Sequence, residues 1–345
     1  MALYFSTFAR NFTYLNKRLK IFFNYFVGPV LFIFLSFSIY RNIIHQPDWK
    51  QSLHEIKLSL QSREGWKAVL VVILMMANWS CEALKWRVLI GHIQRISFLT
   101  AFKAILSGLS VSVAMNTPNG SGEYFGRILY IKKGNRIRAI TLTFVGSISQ
   151  LIVTMSLGTL GLFLLRVKFS GATNDTIHLS LSIINSIVFS SIAITVSLIG
   201  IYFELSWLVK LLEKIPIVSK YSFFIKKLEE FKRKELLKVL LISALRYCVF
   251  VVQYLLLLQL FNVGINLATA FWLITIMFLA LAIVPTIALA ELGVRGKISI
   301  FLFGAFSTNT LGILFTASAI WLINLVVPAL AGSLFILGIK LFRNK

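Results

Sequence analysis

Two short stretches carry charges of opposite sign at a spacing that brings them together. One reads Asn116-Thr-Pro118-Asn-Gly120-Ser-Gly122-Glu123-Tyr-Phe-Gly126-Arg127, the other Pro285-Thr-Ile-Ala-Leu-Ala-Glu291-Leu-Gly293-Val-Arg295-Gly296. Each places a Glu four residues before an Arg, which on a helix puts both on one face in the favourable order. An arginine so placed can grip a phosphate through two parallel N–H bonds. The glutamate can balance that charge or meet an amine on the same ligand. Glycines at 120, 122 and 126 leave backbone N–H groups open to an anion, and the N-terminus of a half-helix favours negative charge. A plainer reading of the same residues is two internal salt bridges that neutralise each other and hold the fold.

Both stretches interrupt long apolar runs, because Pro and Gly break a helix. Irregular backbone at membrane depth is tolerated only beside protein or a water-filled cavity, and an ionisable residue there marks a candidate functional site. Each charge at the centre of a span costs about 2.5–3.5 kcal/mol on insertion scales, so four such groups need pairing, water or a purpose. Glu82 is a further candidate, since Asn78, Glu82 and Trp86 recur at i, i+4 and i+8 and form one stripe. Lys85 beside it reads as an interfacial anchor. Arg246 reads as a side chain that reaches back to the membrane surface from the start of its span. Ser147, Ser149 and Gln150 read as helix–helix hydrogen-bond partners.

The elements that must position these groups are membrane spans. The chain of 345 residues is 58% hydrophobic and 14% charged, with a mean hydropathy of +0.84, which excludes an ordinary soluble domain. Runs free of formal charge extend over Phe22–Tyr40, Ala104–Gly122, Ala139–Leu165, Ile177–Phe203, Tyr247–Ala290 and Ile298–Ile339. A span needs about 20 apolar residues. As one helix the last run would reach about 60 Å against a hydrocarbon core of about 30 Å, so a turn is expected near Ser307–Gly312. The spans expected are Phe22–Tyr40, Trp66–Trp86, Ala139–Leu165, Ile177–Phe203, one beginning near Tyr247, and about Ile313–Ile339. A short amphipathic helix is expected around Leu53–Leu60.

Lys plus Arg number 35 and Asp plus Glu 12, a formal charge of +23. In a membrane chain this reads as basic residues gathered at the cytoplasmic ends of spans, without a nucleic-acid partner. That rule decides between two topologies. If both interrupted stretches cross fully, Arg127, Lys132, Lys133, Arg136 and Arg138 fall outside the cell. If Phe98–Ile131 instead enters, turns at its Pro-Gly break and returns, the cluster lies inside, as does the basic stretch 207–238. The second stretch then dips in from the opposite side. The expected fold is therefore all-α: a polytopic helix bundle of about six full spans plus two re-entrant helical hairpins in an inverted-topology repeat. It forms one membrane domain over 1–345, with halves at about 66–203 and 239–340. A basic amphipathic linker over 207–238 is expected to lie on the inner leaflet.

Three segments together resemble the lysylphosphatidylglycerol synthase/flippase membrane-domain family. Asn78-Trp79-Ser-Cys-Glu82-Ala-Leu-Lys85-Trp86-Arg87 is similar to that family's early acid and basic-Trp segment. Pro118 through Gly122, Glu123 and Arg127 resembles its Pro…Gly-Glu-x-x-x-Arg element. Pro285 through Leu292-Gly293-Val294-Arg295 resembles its Pro…Leu-Gly-Val-Arg-Glu element, except that Gly296 stands where an acid is usual and Glu291 precedes it. The resemblance covers roughly Trp66 to the C-terminus. No synthetase domain follows Lys345, so what it implies is lipid translocation without aminoacyl transfer.

The expected function is a flippase-like transporter that moves an anionic or aminoacylated phospholipid or a polyprenyl-phosphate lipid between leaflets. Its site is expected to comprise Glu82, Pro118, Gly122, Glu123, Arg127, Pro285, Glu291, Gly293 and Arg295. An integral-membrane enzyme using Glu123 or Glu291 as base and a non-transporting scaffold of an envelope-building complex are the alternatives. Catalytic signals are poor. His45, His54, His92 and His178 are scattered, Cys81 and Cys248 lie in apolar runs, and no phosphate-binding or dinucleotide loop occurs. No metal or cofactor is expected. The expected partners are membrane lipids with anionic headgroups, and beyond them a second copy of the chain or an envelope-biosynthesis protein. The expected location is the inner (cytoplasmic) membrane, with both termini cytoplasmic.

Overall fold

The computed structural model describes residues 58, 61–115, 121–170, 181–204, 231–284 and 288–341. The expected first span (22–40), the amphipathic helix expected around 53–60, Pro118, Pro285 and most of the 207–238 linker lie outside the described residues. The described residues are helical, with no strand among them. They form α1 (Trp66–Ile90), α2 (Phe98–Met115), α3 (Glu123–Arg127), α4 (Arg136–Ser170), α5 (Leu181–Phe203), α6 (Arg233–Leu260), α7 (Leu267–Ile283), α8 (Ala288–Phe303), α9 (Thr310–Trp321) and α10 (Val327–Leu341). Among the described residues, six helices are long and apolar enough to cross a membrane: Trp66–Ile90, Phe98–Met115, Lys133–Arg166, Ser182–Phe203, Arg233–Leu260 and Thr310–Gly338. Phe98–Met115 was expected as the first arm of an interrupted hairpin and not as a span.

Beyond the end of α1 at Ile90, Gln94 ties the two limbs of the first interrupted stretch. Its side-chain oxygen accepts from the Lys132 amide at 3.0 Å, and its amide nitrogen donates to the Tyr130 carbonyl at 3.4 Å. Asn135 Nδ2 donates to the Ile93 carbonyl nearby, at 3.0 Å. These bonds join the chain before α2 to the chain after α3. A second set of bonds flanks the other interrupted stretch. There Asn309 Nδ2 donates to the carbonyls of Phe261 (3.0 Å) and Asn262 (3.2 Å), which joins the chain before α7 to the chain after α8. The Asn309 side chain also accepts from the Gly312 amide and caps α9.

The expected turn at Ser307–Gly312 is found there. Asn262, at φ 55, closes α6 in the left-handed region that Asn tolerates. Thr310–Gly338 runs through a π segment, Leu322–Val326, just ahead of Pro328. That proline has no N–H to return to the carbonyl of residue 324 and crowds it, which accounts for the widened turn.

Small residues bring the hairpin backbones together. A Cβ on Gly126 would lie 2.5 Å from Gly108 Cα, and a Cβ on Gly108 would lie 2.7 Å from the Glu123 carbonyl. Both sites require glycine, so α3 lies directly on the middle of α2. Gly126→Ala is expected to separate α3 from α2 and to move Arg127 off its partners. A fall in melting temperature with loss of lipid movement would show this, and a variant as stable as the parent would refute it.

The apolar interior separates into two clusters. One gathers α2 with Ile131, Ala139 and Leu142 around Trp86, Leu89 and Ile90. The other gathers α7, Phe303 and Ile313 around Tyr247, Val251 and Tyr254. The first takes in α2 and the second α7, while α1, α4 and α6 contribute to both. Side-chain hydrogen bonds tie these long helices: Trp86 Nε1 donates to Thr143 Oγ1 at 2.9 Å, and Ser149 Oγ lies 2.7 Å from Ser243 Oγ, as expected of Ser149.

Candidate functional site

Polar side chains gather between the two apolar clusters. Glu82, on the inward stripe of α1 with Asn78 and Trp86, is 5% exposed. Three cations from three elements meet its carboxylate. Lys85 Nζ lies 2.7 Å from Oε2, Arg127 Nη1 lies 3.2 Å from Oε1, and Arg246 Nη1 lies 2.9 Å from Oε2. Arg127 also pairs through Nη2 with Glu123, one turn back on α3. A carboxylate removed from water needs paired and well-directed donors, and here both oxygens have them.

Two expectations are corrected here. Lys85 is not an interfacial anchor: it is 2% exposed and bound to Glu82. Arg246 does not reach back to the surface. It stands thirteen residues after Arg233, about 20 Å into α6. Its Nε donates to Asn78 Oδ1 at 2.7 Å, and its guanidinium lies 5.2 Å from the Trp79 ring and 5.4 Å from that of Phe250. The chain of amides continues from there. Asn78 Nδ2 donates to Asn324 Oδ1 at 3.0 Å. Asn324, on the π segment, donates to Gln253 Oε1 at 3.1 Å, and Gln253 Nε2 donates to the Val71 carbonyl at 2.9 Å. Each of these buried amides is satisfied, so the chain fixes the rotamers of Asn78 and Arg246.

The second interrupted stretch builds a smaller centre. Glu291 is in the first turn of α8 and pairs with Arg295 Nη2. Arg295 Nη1 donates to the Tyr254 hydroxyl at 3.0 Å. Tyr254 is 1% exposed and packs edge-on against Phe278. Gly293 sits on the exposed side of α8, with nothing near a Cβ built there.

The two Glu–Arg pairs expected from the i, i+4 spacing are thus both formed. They do not share one set of contacts: each arginine has partners of its own. The link between the centres is α6, which presents Arg246 to one and Tyr254 to the other, eight residues or about 12 Å apart along its axis.

The two arginines repeat one pattern. Nη1 goes to a buried partner and Nη2 to the glutamate four residues earlier, while Nε is buried with no partner. Nε and Nη2 form one edge of the guanidinium, the edge that takes a phosphate or carboxylate bidentately. At both centres that edge is half used. α3 has only five residues. Gly126 packs closely against Gly108, and Gly122 caps α3.

The sequence reading missed Lys85, Arg246, Asn324, Gln253 and Tyr254. Arg246 was the readable one, since it interrupts more than fifty residues otherwise free of charge between Lys238 and Glu291.

No curated protein and no solved structure matches the chain. The lysylphosphatidylglycerol synthase TM region matches residues 26–332, which extends the resemblance forty residues ahead of Trp66. With six membrane-length helices among the described residues and the three motif segments inside that match, this multi-pass membrane protein belongs to the lysylphosphatidylglycerol synthase TM region family.

Proposed function

We propose that the protein is a flippase-like transporter that moves a lipid with a phosphate-bearing headgroup between the leaflets of the inner membrane, without changing the lipid's covalent structure. The observation that carries this reading is the half-used guanidinium edge on Arg127 and on Arg295, each beside a break in the helical path. Phosphate oxygens fit the Nε–Nη2 edge, and the acyl chains remain in lipid. Glu123 and Glu291 balance charge or meet an amine. The two stretches act as re-entrant hairpins opening to opposite faces, in the manner of an inverted repeat around a midplane site.

Orientation follows from the basic residues. The end that carries Arg87, Arg95, Lys132, Lys133, Arg136, Lys232, Arg233, Lys234 and Lys238 faces the cytoplasm, against Arg63, Lys67 and Arg166 at the other. Uphill movement draws on an ion gradient or a partner protein, since the sequence has no phosphate-binding loop for ATP.

Two measurements test this. Purified protein in vesicles should move a fluorescent phospholipid across the bilayer faster than protein-free vesicles; equal rates would remove the transport reading. Ser121→Cys and Gly293→Cys, at positions with space around them, should react with a charged maleimide in membranes. Failure of both to react from either side would show that no wet cavity reaches the breaks.

A further inference from the structure

The two centres differ in net charge. At the second, one carboxylate and one guanidinium cancel, Glu291 against Arg295. At the first, Lys85, Arg127 and Arg246 face Glu82 and Glu123, so three positive charges meet two negative and the sum is +1. These five groups are joined by the ion pairs Glu82–Lys85, Glu82–Arg127, Glu82–Arg246 and Glu123–Arg127. An odd charge this deep is costly unless something of opposite sign balances it.

Exposure is graded across the centre. Lys85 lies deepest, with its side chain 2% exposed; Arg127 and Glu82 follow at 6% each; Arg246 reaches 14% and Glu123 25%. Arg246 and Glu123 are therefore the more exposed members, and the Nε of Arg127 is buried without a partner. Arg127 binds Oε1 of Glu82 and Arg246 binds Oε2, so one buried carboxylate holds two guanidiniums side by side. Trp79 and Phe250 flank the second, whose Nε and Nη1 go to Asn78 and Glu82.

We propose that this centre is a charge-reading headgroup site that takes a lipid carrying one net negative charge, a phosphodiester monoanion, with Arg127 and Arg246 as the two phosphate-contacting groups. Lys85 and Glu82 are positioning residues that hold the pair apart from water. This rests on the transport reading for its biological setting, but not for its test. A zwitterionic headgroup leaves the surplus charge unmet, a cationic aminoacylated one adds to it, and a phosphomonoester reverses it. The neutral second centre discriminates less among them.

The test is a binding competition followed by native mass spectrometry. Wild-type protein is offered equal amounts of a phosphatidylglycerol, a phosphatidylethanolamine and a phosphatidic acid with matched acyl chains. The phosphatidylglycerol should be retained about tenfold or more over the phosphatidylethanolamine. Arg246→Gln brings the sum to zero and should erase that preference. Glu123→Gln brings it to +2 and should shift retention toward the phosphatidic acid. Glu123 is among the more exposed members, so this variant keeps the test decisive if Arg246→Gln does not fold.

Arg63→Gln, at an exposed position outside both centres, should leave the ranking unchanged. Retention that ignores headgroup charge in the wild type, or a ranking unmoved by Glu123→Gln, would overturn the proposal. So would a soluble glycerophosphodiester that displaces the lipid at equal concentration, since the site would then read the free diester. Charge preference without lipid movement in vesicles would sink the transport reading and leave this one standing. Movement without charge preference would do the reverse.

Discussion

Glu82→Gln lowers the stability of the purified protein by about 3–5 kcal/mol, the cost of leaving buried ions without their partner. The substitution hardly changes volume, so packing is not the cause. It leaves Lys85, Arg127 and Arg246 facing Glu123 alone, and the sum at the centre rises from +1 to +2. Both oxygens of Glu82 are in use, and its side chain is only 6% exposed, so water cannot take over. Lys85→Met in the same background returns the sum to +1 and removes the deepest ammonium. The double variant is expected to recover much of the loss, as coupled neighbours do. Thermal melting in detergent measures all three proteins. A single variant as stable as the parent, or a double no better than the single, would show that these charges are solvated and the centre is not a unit.

Arg127→Ala and Arg295→Ala each reduce lipid movement in vesicles by about 10- to 100-fold, from roughly 1.5–3 kcal/mol per lost charged hydrogen bond to phosphate. Neither is expected to unfold the protein, and the reason is local. Without Arg127, Glu82 keeps Lys85 and Arg246, and two charges of each sign remain. Without Arg295, Glu291 is 24% exposed and can be hydrated, and Tyr254 loses one neutral hydroxyl contact. Lysine at either position is not expected to restore movement, because an ammonium offers a point charge in place of the two-pronged edge. Melting curves of the variants guard against misfolding. Transport at the parental rate in both alanine variants would assign the pairs to structure alone, the plainer reading of the sequence.

What could be read early was local. The Glu–Arg pairs at 123/127 and 291/295 are one helical turn apart, so spacing alone placed them together, and both form. The breaks with Pro and Gly, the turn ahead of Thr310 and the inward stripe of Asn78, Glu82 and Trp86 follow from backbone chemistry and helical period in the same way. Helix ends were less legible. Charge-free runs stood in for spans, yet α6 begins at Arg233 and α4 at Arg136, because basic residues at a membrane surface continue a helix without penalty.

That same substitution of run for helix misplaced Arg246. It looked like a boundary because the run ended there, whereas the helix continues thirteen residues toward the N-terminus. Its partners Asn78 and Glu82 are 168 and 164 residues away in the chain. Asn324 meets Asn78 across 246 residues. No local pattern announces such contacts.

A helical membrane chain, its family, the two broken stretches and the charge pairs inside each were legible from residue order, because insertion energetics and helical period act over one span or one turn. The tertiary structure alone decided that Glu82 gathers Lys85, Arg127 and Arg246, that Asn324 and Gln253 brace them, and that one centre carries a surplus charge while the other is neutral. Those facts depend on which helices lie side by side. That choice is made by close backbone approach at sites such as Gly108 and Gly126, and by the saving in free energy when buried ions from distant segments meet.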